Sequence, residues 1–147
     1  MNTLAKSILF ATTLLGFGAS GAMAATTPAQ CYATKAAANL NSYRSAVGVC
    51  NSIAGAQSGA LGSAAVNASI KGPSGYAAFR AAVSALGVSV PAATAAELAN
   101  AGAWNNYVRR VAAAALSVVE SKYSACTRTA ENAYAVANAA AKKSCGA

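Results

Sequence analysis

Two stretches of the chain repeat apolar residues at helical spacing. From the first, Ala33, Ala36, Leu40, Tyr43, Val47 and Cys50 follow one another by threes and fours, which is one face of an α-helix. Its start is marked by Thr27-Pro28-Ala29-Gln30. Threonine caps, proline suits the first helical position, and glutamine closes a capping box. The helix is thus expected to begin at Pro28, with Cys31 in its first turn.

The second stretch is longer. Trp104, Val108, Ala112, Ala115, Val119, Tyr123, Cys126, Ala130, Ala133, Ala137 and Ala140 share a single stripe at 100° per residue, with Arg110, Arg128 and Lys142 on the other side. A helix is predicted from Ala103 almost to the C-terminus, with Gly146 as its stop. Its length leaves room for a break between Ser124 and Thr129.

The intervening residues read less regularly. "NSIAGAQSGALGSAAVNAS" after Cys50 is rich in glycine, which costs about 1 kcal/mol in a helix interior. It reads as a frayed continuation or a flexible low-complexity connector. "KGPSG" at 71–75 is a break. Tyr76, Phe79, Val83 and Leu86 then mark a short amphipathic helix stopped by Gly87, and Pro91 opens another that runs to about Asn100, with a kink or gap at Gly102. Strand-like alternation is absent and alanine, the best helix former, dominates. The expected class is all-α.

The cysteines turn this pattern into an architecture. Cys31 and Cys50 are 19 positions apart, as are Cys126 and Cys145, and there are no others. Within a helix that spacing is about 28 Å, whereas a disulfide brings Cα atoms within about 7 Å. Pairing inside either stretch is therefore excluded. Cys31–Cys145 with Cys50–Cys126 requires antiparallel helices, and Cys31–Cys126 with Cys50–Cys145 parallel ones. Chain economy favours the antiparallel form, a disulfide-stapled helical hairpin closed by a small two-helix cap at residues 74–102. Facing positions then sum to 176, which sets Gly72 opposite Trp104, Tyr43 over Ala133 and Arg44 near Glu131.

The N-terminus agrees with disulfide formation. Lys6, the apolar run Ile8–Phe17 and the small residues Ala22-Met23-Ala24 have the layout of a secretory signal peptide, residues 1–24. The run is too short to span a bilayer. Residues 25–147 are expected to form a single alanine-rich helical domain, secreted or periplasmic, with no transmembrane segment and with its cysteines oxidised. Losing Lys6 would take the formal charge from +8 to +7. The basic residues are scattered, and only Arg109-Arg110 and Lys142-Lys143 are adjacent, so the excess reads first as a solvated face.

Composition removes several chemistries. The chain has no histidine and no aspartate; Glu97, Glu120 and Glu131 are its only acidic residues. A Ser-His-Asp triad or Cys-His dyad cannot be built, and bridged cysteines offer no thiolate. Glu120 and Glu131 are about 16 Å apart along a helix, beyond the span of a glycosidase pair. No phosphate-binding loop precedes a helix. The cysteine spacing and the lack of histidine argue against a metal site. The expectation is a non-enzymatic protein without metal or cofactor.

Three functions fit that description: a binding or interaction scaffold, a cationic toxin or antimicrobial acting on anionic envelopes, and a structural subunit of a surface assembly. The scaffold reading is preferred, its partner a protein or an anionic surface. Nucleic acid is disfavoured because no aromatic and basic stripe interleave. Trp104, Asn105, Tyr107, Arg109 and Arg110 are the candidate interaction surface, since aromatic and arginine residues make interface anchors. Against it stands the reading of Trp104 as a core plug against Phe79 and Leu86.

Overall fold

A computed structural model describes residues 26–147; the expected signal peptide lies outside them. Every regular element among the described residues is helical: α1 (Pro28–Lys71), a 3₁₀ turn (Gly72–Gly75), α2 (Tyr76–Ala85), α3 (Ala95–Ala99) and α4 (Ala101–Cys145).

The start of α1 follows the sequence closely. Thr27 Oγ1 accepts from the Gln30 amide at 3.2 Å, and Gln30 Oε1 accepts from the Thr27 amide at 3.0 Å. Two of the donors that a helix start leaves unpaired are thereby satisfied. The continuation is a correction. The glycine-rich residues after Cys50 are neither frayed nor a connector; they remain α-helix to Lys71. Their inward side explains why, because Cys50, Leu61 and Ala68 are buried. Packing on one face outweighs the low helix propensity of the other.

Beyond α1 the chain reverses tightly. Gly72 has φ +62°, which a side chain disfavours. A Cβ on Gly75 would stand 2.9 Å from the Ala68 backbone, so the 3₁₀ turn packs directly on α1. Pro91 does not open a helix, contrary to expectation. Residues 88–94 are irregular, and Tyr107 Oη donates to the Pro91 carbonyl at 2.7 Å. The helix there starts four residues later, where Thr94 and Glu97 make a second capping box. The expected kink or gap at Gly102 falls instead at extended Asn100, between α3 and α4, and Gly102 itself is not a kink. It lies in the first turn of α4, with Asn100 Oδ1 accepting from the Gly102 and Ala103 amides. No break interrupts α4 between Ser124 and Thr129.

Disulfides join Cys31 to Cys145 and Cys50 to Cys126, with Cα atoms 5.7 and 5.9 Å apart. Between them Asn39 Nδ2 donates to Asn138 Oδ1 at 2.9 Å, and the Tyr43 and Tyr134 rings lie 5.2 Å apart. The expected contact of Tyr43 with Ala133 is thus displaced by one residue. Arg44 and Glu131 do not pair; the one ion pair among the described residues is Arg110–Glu97. Trp104 reaches Ala68 rather than Gly72, its Nε1 donating to the Ala68 carbonyl at 2.8 Å. The indole spans about one helical turn, which accounts for a contact four residues from Gly72.

The core lies on the far side of Cys50 and Cys126. Phe79, Val83, Leu86, Trp104, Tyr107, Val108, Val111, Ala115 and Val119 pack with Leu61 and Ala68. Trp104 and Tyr107 rings stack at 5.5 Å, and Tyr76 meets Trp104 edge-on at 5.9 Å. Such pairs contribute about 0.5–1.5 kcal/mol beyond the area they bury.

Candidate functional site

Five residues at the start of α4 were the sequence's candidate surface, and the fold separates them. Trp104 and Tyr107 are 1% and 0% exposed. They are core, and no partner touches them while it is closed. Burial raises the Tyr107 phenol above its ordinary range, with Tyr76 adding to the effect, so its proton stays on the hydroxyl that holds Pro91. Asn105 is half-buried, with an Oδ1 that is buried and without a hydrogen-bond partner.

The two arginines do face water. Arg109 Nη2 donates to Asn106 Oδ1 at 3.1 Å. Arg110 pairs with Glu97 at 2.9 Å and lies over the Tyr107 ring, 5.7 Å from its centre. Glu97 is held from two directions. Its Oε2 accepts from the Thr94 amide at 2.8 Å and the Thr94 hydroxyl at 3.0 Å, while its Oε1 accepts from Arg110. The Thr94 backbone bond first, and Arg110 second, lower its pKa below the ordinary carboxylate value. This arrangement fastens α3 to α4. It leaves Arg109 as the freer cation at that edge.

A different surface has the open geometry that the start of α4 lacks. Gly48, Gly55, Gly59, Gly62, Val66 and Ile70 fall within about 80° of the α1 circumference, opposite Cys50, Leu61 and Ala68, at 100° per residue. A Cβ added at any of those four glycines would meet nothing within 4 Å. Val66 and Ile70 are 59% and 78% exposed. Val49 and Ile53 are also exposed but lie about 60° and 100° beyond the strip's edge, towards the buried side of α1. No charged residue occurs between Arg44 and Lys71. The result is a smooth, uncharged strip about 33 Å long that also holds exposed Ser52 and carries Val66 and Ile70 at its C-terminal end, on a positively charged chain.

The strip is not evident from the sequence because glycine lowers helix propensity wherever it stands. The signal available was the phase of the residues. Cys50, Leu61 and Ala68 lie in one phase and the glycines in the opposite one.

No metal-binding cluster of His, Cys, Asp or Glu occurs among the described residues, all four cysteines are bridged, and no described helix is long and apolar enough to cross a membrane. Comparison with family models, with curated proteins and with solved structures finds no match.

Proposed function

We propose that residues 25–147 are an exported, non-enzymatic interaction scaffold that presents the outward face of α1 to a protein partner. In this reading the two long helices form an antiparallel hairpin stapled at both ends of one half, and α2 and α3 close the other half as a cap. The paired contacts Cys31–Cys145, Asn39–Asn138, Cys50–Cys126 and Ala68–Trp104 support it, since numbers fall on α4 as they rise on α1. Export is supported by the layout of residues 1–24 and by two formed disulfides.

The observation that carries the reading is the glycine strip. Each helix-interior glycine costs about 1 kcal/mol relative to alanine, and the protein's own packing makes no use of the missing Cβ at four of them. A partner backbone or side chain that lies close along α1 would use that space. Exposed Val66 and Ile70 add apolar area to the strip of the kind that marks interaction surfaces.

Carbene footprinting tests it, comparing the protein in the exported fraction of the cells that make it with the dilute purified protein. Protection of Val66 and Ile70 in the exported fraction is expected. Equal labelling in the two samples contradicts the reading. A second reading, attack on anionic envelopes, is favoured by the positive charge. Release of dye from anionic vesicles at low salt would support it, falling steeply as salt screens exposed charges; the scaffold reading expects no release.

A further inference from the structure

The two disulfides occupy different surroundings. Cys50 is 3% exposed and belongs to the buried side of α1, whereas Cys126, Cys31 and Cys145 are all partly exposed. Exchange requires an incoming thiolate to reach a sulfur. Attack on Cys126 would leave the charge on buried Cys50, which burial disfavours, so the outer bridge is the one with both an open sulfur and an open leaving group. Its charges are one-sided. Lys142 and Lys143 occupy the last turn of α4, and Lys35 Nζ donates to Ser144 Oγ at 2.7 Å, beside Cys145. The nearest acidic side chain along α4, Glu131, lies about 21 Å away along the axis.

The two sulfurs of this bridge also differ from each other. Cys31 is the fourth helical residue of α1, its amide bonded to the Thr27 carbonyl at 2.9 Å. A thiolate there faces the positive end of a helix dipole. Cys145 is the last residue of α4, at a negative end. A thiolate at a helix N-terminus is stabilised, and the more stable thiolate leaves faster.

We propose that Cys31–Cys145 is a thiol–disulfide exchange site for small anionic thiols, in which Cys145 Sγ is attacked and Cys31 Sγ leaves. The incoming thiolate forms a bond to Cys145 Sγ as the Sγ–Sγ bond breaks, and that electron pair departs on Cys31. A second thiolate attacks the mixed disulfide at the sulfur of the first. It forms the small-molecule disulfide and leaves Cys145 as a thiolate. In all, two small thiols are oxidised and one bridge is reduced to two cysteines. Cys50–Cys126 takes no part and keeps the helices joined.

The test uses oxidised residues 25–147 with glutathione as the anionic thiol, quenched by acid and N-ethylmaleimide and mapped by mass spectrometry. The outer bridge is expected to open first, with glutathione on Cys145 over Cys31 by roughly 3- to 30-fold, from a favourable dipole at one end and an unfavourable one at the other. Because the thiolate attacks, added salt is expected to slow glutathione most, 2-mercaptoethanol less, and cysteamine, whose thiolate form is a net-neutral zwitterion, least. The variant carrying Lys142→Ala and Lys143→Ala should lose rate in the same order, its circular dichroism intact. Opening of Cys50–Cys126 first or at an equal rate, an adduct mainly on Cys31, or the same salt response for glutathione and cysteamine would overturn the proposal.

Discussion

The half of the molecule between the disulfides and the half beyond them are both helical, yet different forces hold them. Between the bridges, residues 31–50 and 126–145, the buried side chains are Cys50, Ala130 and Ala141. Tyr43 and Tyr134 touch, but both are only half-buried. Beyond the bridges, all six of the largest fully buried side chains, Trp104, Tyr107, Phe79, Val83, Val108 and Val119, collect in one place. Burying alanine removes little apolar area from water, whereas a buried aromatic or branched side chain contributes about 1.5–3 kcal/mol. The stapled half therefore depends on covalent closure and the other half on packing. The difference also separates the two proposed surfaces. The exchange site belongs to the stapled half, and most of the glycine strip overlies the packed one.

The comparison is broken most severely by Trp104→Ala. It removes the largest buried ring and its bond to the Ala68 carbonyl, and about 3–5 kcal/mol of stability is expected to go with it. Urea titration followed by circular dichroism measures that loss. Next comes the double variant Cys50→Ala, Cys126→Ala, expected to cost about 2–4 kcal/mol by releasing the unfolded chain. The same titration ranks it below Trp104→Ala. Thr94→Ala removes the cap of α3 and should cost about 1 kcal/mol, with faster amide exchange at Ala95–Ala99.

The Glu97 interaction adds a pH signature to the packed half. Its folded value is lowered from 4.5, so its contribution is fully present above about 4.5 and is lost as pH falls through the lower, folded value. The stability difference between the parent and Glu97→Gln should shrink across that window. Glu131→Ala has the smallest expected effect, within about 0.5 kcal/mol, because an exposed carboxylate without an ion pair contributes little.

Much of the fold was legible where local chemistry decides it. Thr27, Pro28 and Gln30 mark the start of α1, and the spacing of four cysteines excludes pairing within either helix. The contents of residues 51–102 were harder. Glycine lowers helix propensity at any position, but whether Leu61 and Ala68 bury enough to overcome it depends on α4, forty residues away. Pro91 carried a helix-start signal that Thr94 and Glu97 outcompete, since their mutual bonds satisfy more of the new helix's amides. At the candidate surface, residue type allowed an interface or a core. The sequence reading of Trp104 as a core plug against Phe79 and Leu86, preferred over the interface, is the one the core contains. What decided between them was the placement of Phe79 and Ala68.

Hydrogen exchange followed by mass spectrometry, with residues 25–147 oxidised and fully reduced, tests the division of forces most directly. Reduction is predicted to deprotect amides in 31–46 and 130–144 strongly while those of 104–119 keep most of their protection. Equal loss of protection in both halves, or protection retained between the former bridges, would contradict it.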